Sequence, residues 1–487
     1  MANNAAGVPW WSSTLLRRLC TAAAEAAGGS TSASASAVGV AGATKVKPLY
    51  RRLSVLGGAP KGAVTQAMNQ WLREGRGVKA LQVVTYVKEL RKYRRFQHAL
   101  ELMEWMDGRG MYMSYSNYAV RLDLVCKVEG IDSAEKYFSR LSAPAKNRLT
   151  YGALLNCYCI ESKVDKALSL FEEMKELNFA SHALPYATIM ALHMRLGQPE
   201  KVPPLMQEMV EKKIPPDSFN YSILMKSYAA VKDIESVERT VEEIKKSDKA
   251  EVMWPIYSHL ASVYISAGLI EKAEAAIKML EQNIDRRDRK CFHFLISLYA
   301  GVGKLEDVCR VWNSLKAAFP TTLNMSYFSM LQSLNRMDEF DALVQCFQEW
   351  ESSHVAYDIR LTNIMFAVYL RRDMIEEAES LLKSVIRVGA EPNFRTYVTF
   401  IDYYLKKQRI DLALCYLEDA VLKVKNHLIK LSQETVNGFL RYFEEHKDVD
   451  GAEAFCNTLK KLDCFDSEAY GSLQRIRESR TATESAI

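Results

Sequence analysis

A spacing of about 35 residues recurs along most of this 487-residue chain and limits what it can fold into. Ala167, the alanine of "KALSLF", is one of a series of small or apolar residues at this spacing. Apolar residues follow four and seven positions later in each copy, as Phe171 and Met174 do here, and such steps keep to one face of a helix. The series is Ala99, Ala134, Ala167, Val202, Val237, Ala273, Val308, Leu343, Ala378, Ala413 and Ala452.

Each of these predicted helices follows another amphipathic segment, which in most copies has an aromatic residue near its end, such as Tyr158 or Tyr228. The pattern predicts a row of helical hairpins. One hairpin of this size cannot bury its apolar face alone, so neighbouring hairpins are expected to stack into an all-α array, an α-solenoid. The units are placed to start at Ala80, Tyr115, Arg148, Ala183, Ser218, Trp254, Arg289, Asn324, Ile359, Phe394 and Gln433.

The third unit, "LTYGALLNCYCIESKVDKALSLFEEMKE" from Leu149, indicates the kind of repeat. Tetratricopeptide repeats share the hairpin plan but expect a Trp and a Leu-Gly pair in the first helix, and these are missing here. The Thr-Tyr opening, the Ala-Leu-x-Leu-Phe-Glu-Glu-Met second helix and the period instead resemble the pentatricopeptide repeat. "PDSFNYSILMKSY" and "EPNFRTYVTFIDYYLKKQRIDLALCYLEDA" resemble it as well. Units of even length resemble its P-type subfamily, which implies a right-handed superhelical α-solenoid of plant organelles.

The resemblance also implies a ligand, because in this family one unit reads one base of single-stranded organellar RNA. The fifth residue of a unit and its last residue meet the edge of the base. Carried over to this sequence, Ser258 with Asp288 would favour guanine, and Asn363 with Asn393 would favour a pyrimidine.

Other units match the family pattern only in part. Two units have a suitable last residue but an alanine in fifth place, and one has a suitable fifth residue but ends on Met253. These partial matches are Ala187 with Asp217, Ala119 with Asn147, and Ser222. Two full pairs would supply only about 2–6 kcal/mol of base discrimination, so either the RNA backbone supplies most of the binding or part of the array contacts protein.

The second residue of a unit packs against the face of the base in this family. It is apolar in five units, at Leu81, Leu149, Leu184, Phe219 and Met325. Cations occupy the same place at Lys290, Arg360 and Arg395. Such a cation can lie over a base or reach a phosphate, and it can equally be a solvated surface charge.

The first fifty residues are rich in Ala, Ser, Thr and Arg and contain one acid, Glu25. This composition is typical of an organellar transit peptide, and its arginines favour the mitochondrion over the chloroplast; a tail without a targeting role is the alternative. We expect a disordered transit peptide at 1–52, a linker or cap at 53–79, about eleven repeats at 80–467, and a C-terminal cap and polar tail at 468–487. Cleavage is placed near Arg51–Ser54.

Charge and motifs narrow the function. Residues 1–73 carry eight lysines and arginines against one acid, so the rest of the chain is close to neutral and any RNA contact needs a local basic face. No phosphate loop, zinc-protease helix, nucleophile elbow or deaminase signature occurs. We therefore expect no catalytic residue, metal or cofactor. No apolar run is long enough to cross a membrane, and the scattered cysteines favour reduced, buried thiols.

Two functions remain open at this point. The first is a mitochondrial RNA-binding repeat protein that acts in transcript stability, processing or translation without its own chemistry. The second is a scaffold that binds protein with the same solenoid, as part of a mitochondrial ribosome or RNA-processing complex. The fold does not decide between them.

Overall fold

The computed structural model describes residues 49–57, 59–246, 253–353, 356–423, 431–461, 470–471 and 473–476. Helices joined by turns make up this part of the chain, and it contains no β-strand. The all-α prediction is confirmed. The predicted transit peptide up to residue 48, and most of the predicted polar tail, lie outside the described residues.

Contacts between Cα atoms divide the chain into two units, residues 1–259 and residues 260–487. The helices of the first are α1 (Leu49–Val55), α2 (Ala63–Arg73), α3 (Ala80–Lys92), α4 (Phe96–Gly108), α5 (Tyr115–Glu129), α6 (Ile131–Arg140), α7 (Arg148–Ile160), α8 (Val164–Glu176), α9 (Ala183–Arg195), α10 (Val202–Glu211), α11 (Ser218–Ala230) and α12 (Ile234–Lys246). Helix α13 (Met253–Ser266) contains the division.

The second unit continues with the same alternation of helices. These are α14 (Ile270–Gln282), α15 (Arg289–Gly301), α16 (Leu305–Ala318), α17 (Asn324–Met337), α18 (Phe340–Ser353), α19 (Ile359–Arg371), α20 (Ile375–Arg387), α21 (Phe394–Lys406), α22 (Ile410–Lys423), α23 (Gln433–His446) and α24 (Val449–Lys461). From α3 onward the odd-numbered helices are the first helices of the hairpins, and the even-numbered helices are the second.

The period places the first helices accurately. Ten of the eleven first helices in the described residues begin at the residue that the sequence predicts, and α13 begins at Met253 rather than Trp254. The predicted series on the second helices is buried throughout, since every member from Ala99 to Ala452 is at most 1% exposed. Because these residues sit where two helices meet, a small side chain lets the backbones approach.

The bend inside each hairpin has a residue with a positive φ angle at the same place. A residue with positive φ stands there in all eleven described hairpins: Arg94, Gly130, Ser162, Gly197, Lys232, Gly268, Gly303, Asp338, Asp373, Gln408 and Lys447. Glycine adopts this left-handed conformation without strain, and the sequence marks the bend with glycine at Gly197, Gly268 and Gly303. Gly130 has φ 89° and ψ 175° and so bends the chain differently, and the other seven hairpins make the left-handed turn with a non-glycine residue at a conformational penalty.

The helices before Ala80 pack as a further hairpin. Val64 and Met68 of α2 are fully buried, and they lie 35 residues before Ala99 and Met103, the equivalent residues of α4. Glu101 of α4 accepts the backbone N–H of Thr65 at 2.8 Å, which caps the start of α2. Helix α1 begins at Leu49, so the boundary expected at residue 52 would pass through a helix.

First helices form a continuous layer within each unit. In the first unit α5 contacts α7, α7 contacts α9, and α9 contacts α11; in the second, α15, α17, α19, α21 and α23 contact one another in the same order. On the open side of this layer the second and thirteenth residues of the first helices are half-buried or exposed, and the fifth residues are half-buried or buried. This layer carries all the predicted RNA-binding residues.

Candidate nucleic-acid interface

The first and second helices carry opposite charge. The eleven first helices contain sixteen lysines and arginines against seven aspartates and glutamates, whereas the eleven second helices contain sixteen against thirty-one. A body that is nearly neutral in total therefore has a basic layer and an acidic layer. A basic face with low-dielectric walls raises the local concentration of a polyanion, which is the local feature that phosphate binding requires.

The excess of positive charge is largest on four successive first helices of the second unit. Helices α15, α17, α19 and α21 contain seven lysines and arginines and a single acid, Asp402. Burial raises the pKa of Asp402 above its usual value, and its carboxylate accepts a hydrogen bond from Thr435 at 2.9 Å. This part of the layer is the strongest candidate for a phosphate-binding surface.

The second residues of the first helices are exposed or half-buried. Leu81 is 78% exposed, Met325 is 37% exposed, and Leu149, Leu184 and Phe219 are half-buried. Exposed apolar side chains at one helical position, repeated from hairpin to hairpin, suit stacking against flat rings. The structure thus leaves the predicted stacking positions accessible.

The three predicted cations at this position differ in their surroundings. Lys290 and Arg395 are exposed. Arg360 is also exposed, but its guanidinium bonds both carboxylate oxygens of Asp358, with the shortest contact at 2.5 Å, and lies 5.5 Å from the ring centroid of Phe328. Burial alone would raise the pKa of Asp358, but the hydrogen bonds from Arg360 hold it below its usual value. Arg360 therefore already has an acidic partner.

The predicted last residues of the units all serve as helix N-caps. Asn147 accepts the N–H of Leu149 at 2.9 Å, and Asp217 accepts those of Phe219 and Asn220 at 2.8 and 3.0 Å. Asp288 and Asn393 cap the helices α15 and α21 in the same way. Asn and Asp are preferred caps in any protein, so capping alone accounts for a polar residue at these places.

Most predicted fifth residues are buried. Ala119, Ala187, Ser222 and Ser258 are at most 7% exposed. The Ser222 hydroxyl donates to the backbone oxygen of Ser218 at 2.6 Å, within its own helix. Ser258 lies in the first unit and its predicted mate Asp288 in the second. These positions offer little polar surface to a ligand.

Asn363 and Asn393 are the predicted pair that the structure brings together. Asn363 Nδ2 donates to Asn393 Oδ1 at 3.1 Å, and Asn363 Oδ1 accepts the hydroxyl of Thr396 at 2.7 Å. Both asparagines are half-buried. The pair forms one polar group that joins the ninth and tenth hairpins at the open side of the layer.

Cations at the thirteenth residue of the first helices are a feature that sequence reasoning missed. They share one register position in six hairpins, and the 35-residue period was sufficient to find them. Arg195 donates to the backbone oxygen of Cys159 and Arg371 to Asn335 Oδ1 at 2.8 Å, so some of them also join neighbouring hairpins. The six are Lys92, Lys127, Arg195, Arg336, Arg371 and Lys406.

Two half-buried groups near this surface have shifted pKa values. Burial lowers the pKa of His293, the fifth residue of α15, to about 4, so its imidazole is neutral at physiological pH. Burial also lowers the pKa of Lys226, the ninth residue of α11, to about 8.

Three further findings concern the described residues. They contain no group of three or more His, Cys, Asp or Glu side chains arranged to hold a metal ion. No helix among them is both long and apolar enough to cross a membrane. The eight cysteines in this part of the chain form no disulfide, and six of them are buried.

Comparison with known proteins identifies the repeat. The model for the pentatricopeptide repeat matches residues 149–179 and 361–389, and the model for the pentatricopeptide repeat domain matches residues 204–249. A pentatricopeptide repeat-containing protein of Arabidopsis thaliana, labelled mitochondrial, is 40% identical over 463 residues, which cover 95% of this chain and 92% of that protein. The large ribosomal subunit protein mL101 of A. thaliana is 39% identical over 432 residues, 88% of each chain.

Among solved structures, PPR10 in complex with an 18-nt psaJ RNA element is 19% identical and covers 86% of this chain. This chain spans 60% of the length of PPR10, with a TM-score of 0.44, which is too low to transfer the position of the RNA. The family assignment rests instead on the full-length relative at 40% identity. On that similarity, and on the stacked 35-residue hairpins, the chain belongs to the pentatricopeptide repeat family.

Proposed function

We propose that this chain is a P-type, mitochondrial RNA-binding protein that holds single-stranded RNA along the open side of its first helices. The opposite charges of the first and second helices are the observation that carries the proposal. The mitochondrial label of a relative that matches this chain over nearly its full length supports the location. Up to one base per hairpin would be bound, mostly through the phosphate backbone.

Such a protein would act without chemistry of its own. A bound segment of RNA is shielded from nucleases and cannot form secondary structure, so the protein would serve transcript stability, processing or translation. Each contact between a phosphate of single-stranded RNA and a cation makes the slope of log affinity against log salt concentration more negative by about 0.7. Contacts with four to seven of the cations on α15, α17, α19 and α21 therefore predict a slope of about −3 to −5.

RNA binding measured over a series of salt concentrations tests this proposal. The full chain and a form without residues 1–48 are compared, because the first 48 residues contain Arg17, Arg18, Lys45 and Lys47. Both forms are expected to bind a labelled single-stranded RNA with the same steep salt dependence. Failure of both forms to bind at low salt, or binding by the full chain alone, contradicts the proposal.

A protein-binding scaffold is the second candidate, and two observations favour it. The relative mL101 is a large ribosomal subunit protein, and most predicted base-reading positions are buried or serve as caps. If the chain is a protein-binding scaffold, it should co-sediment with a large ribonucleoprotein particle after RNase treatment. Release of the chain by RNase would instead favour direct RNA binding.

A further inference from the structure

A single side chain, Thr396, bonds both members of the asparagine pair. Thr396 is the third residue of α21 and is fully buried. Its hydroxyl lies 2.7 Å from Asn363 Oδ1, and its backbone N–H lies 3.1 Å from Asn393 Oδ1. The backbone N–H of Asn393 in turn donates to the Thr396 hydroxyl oxygen at 3.2 Å.

This network fixes which atoms of the two amides face each other. A backbone N–H can only donate, so the Asn393 atom that faces Thr396 must be the acceptor Oδ1. Asn363 must then turn Nδ2 toward that oxygen, since its own Oδ1 would repel it at 3.1 Å. The Thr396 hydroxyl has one proton, and its shortest contact is with Asn363 Oδ1, so the same orientation is held from both ends.

The fixed orientation decides what the pair presents to a ligand. Asn393 Oδ1 is occupied by the donors of Asn363 and Thr396, whereas no bond from Asn393 Nδ2 occurs among the described residues. The pair therefore offers N–H donors, which suit the carbonyl oxygens on the Watson–Crick edge of a pyrimidine. A reversed Asn363 amide would remove this arrangement.

We propose that Thr396 is a positioning residue that sets the base preference of the ninth hairpin by holding the Asn363 amide in one orientation. This inference rests on the proposed RNA-binding function. Thr396 lies in the next hairpin, 33 residues after Asn363. The base preference of one hairpin therefore depends on a residue in the first helix of its neighbour.

Within the described residues, a contact between the same two helical positions recurs in one other hairpin and cannot form in the third hairpin. The fifth residue of α15, His293, has its Nε2 atom 2.9 Å from the hydroxyl of Ser326, the third residue of α17. In the third hairpin the fifth residue is Gly152, and the third residue of the following first helix is Pro185, which has no hydroxyl. The tether is therefore a property of particular hairpins, whereas the helix cap occurs in most of them.

Three variants of the full chain test the proposal. Thr396→Val removes the hydroxyl and nearly conserves the volume, and Thr396→Ser restores the hydroxyl. Thr150→Val is the matched control: Thr150 is also the buried third residue of a first helix, but its hydroxyl donates to the backbone oxygen of Ala145 at 2.8 Å, and the fifth residue of the preceding first helix is the apolar Ala119. Each protein is mixed with a pool of single-stranded RNA of random sequence, and the bound fraction is sequenced.

The unsubstituted chain, Thr396→Ser and Thr150→Val are expected to share a pyrimidine preference at one nucleotide, which Thr396→Val weakens at least about threefold. Melting curves check that each variant is folded, and Thr396→Ala replaces Thr396→Val if the latter is not. If the variant without the hydroxyl is folded, binds RNA and keeps the same base preference, the inference about Thr396 is overturned, but the proposed function is not. Failure of the unsubstituted chain to bind the pool overturns the inference together with the proposed function.

Discussion

The third and ninth hairpins show how differently packing and binding are encoded in this chain. The family model matches both, at residues 149–179 and 361–389, and both place a fully buried alanine, Ala167 or Ala378, between their helices. At the open side they diverge. The ninth hairpin holds Asn363 against Asn393 at 3.1 Å, whereas the third has Gly152 in fifth place and His182 at its end.

The difference follows from where each position points. The alanines lie on the second helices, buried where two helices meet, so a change of volume is felt at once in the core. The fifth residues differ more between hairpins, from the buried Ser222 to the half-buried Gly152 and Asn363. A repeat can therefore be well formed and have no base-reading group, and the resemblance to the family is strongest at the buried packing residues.

The largest expected effect separates packing from binding. Phe171 of the third hairpin is 1% exposed and packs edge-on against Tyr186, with ring centroids 5.1 Å apart. Phe171→Ala should lower the free energy of unfolding by about 3–5 kcal/mol, because the cavity cannot close. The equivalent Leu382→Ala in the ninth hairpin should cost about half as much, since Leu382 is half-buried.

Denaturant titrations followed by circular dichroism measure both changes. Under conditions where each variant is folded, the base preferences should equal those of the unsubstituted chain. A changed base preference in Phe171→Ala would mean that packing and binding are not separable in the third hairpin.

The hairpin that contains His293 is intermediate between the two, because its fifth residue is polar and half-buried. Burial lowers the pKa of His293 to about 4, whereas the pKa of a histidine in the unfolded chain is about 6.5. As the pH falls below about 6.5, the imidazole is therefore protonated first in the unfolded chain. Its contribution to stability is complete above that pH and is lost as the pH falls toward 4. Between pH 7 and pH 5 the loss should be about 2 kcal/mol.

The measurement is the unfolding free energy at several pH values for the unsubstituted chain and for His293→Gln. The variant should lack this part of the pH dependence, whereas His446→Gln, at an exposed histidine, should retain it. Identical pH profiles for the chain and His293→Gln would show that the imidazole is not buried in solution.

The third prediction compares the two layers by charge. Arg395→Gln with Lys406→Gln removes two exposed cations from a first helix, and Lys278→Gln with Lys383→Gln removes two exposed cations from second helices. The first pair should weaken RNA binding about tenfold and reduce the magnitude of the salt slope by about 1.4, because two phosphate contacts are lost. The second pair makes the same change in net charge and should leave the slope unaltered. Equal effects of both pairs would show that binding depends on total charge and not on one face.

The smallest expected effect comes from introducing the asparagine pair and threonine of the ninth site into the equivalent positions of the third hairpin. A Cβ at Gly152 would have no heavy atom within 4 Å, so Gly152→Asn is sterically allowed. Combined with His182→Asn and Pro185→Thr, it should create a pyrimidine preference of about threefold to tenfold at one further nucleotide. The double variant that retains Pro185 should give less. Equal preferences in the double and triple variants would show that the threonine tether is not needed.

Sequence reasoning located the helices well because their signal is repeated. An error at one unit start is corrected by the others, and α13 differs by one residue only, at Met253. The bend was found only where it is glycine, since Ser162 or Asp373 adopts the same left-handed backbone without any sign of it in residue type. Helices α1 and α2 were not recognised as a hairpin, because α1 is only seven residues long and leaves the pattern on α2 without its usual partner.

The candidate site was harder to predict from the sequence, because Asn and Asp serve both as helix caps and as base-reading residues. Asn147, Asp217, Asp288 and Asn393 cap helices whether or not RNA is bound. The charge of the two layers also cannot be found in the total composition, which averages them. The bond from Thr396 to Asn363 spans 33 residues, and a threonine at that helical position has a sufficient explanation as a cap partner.

Ultraviolet crosslinking of the full chain to single-stranded RNA, with the crosslinked peptides identified by mass spectrometry, tests the central claim most directly. Crosslinks are expected on the first helices, concentrated on α15, α17, α19 and α21, with the second helices unlabelled. Crosslinks confined to the second helices, or none in a chain that binds the RNA, would contradict it.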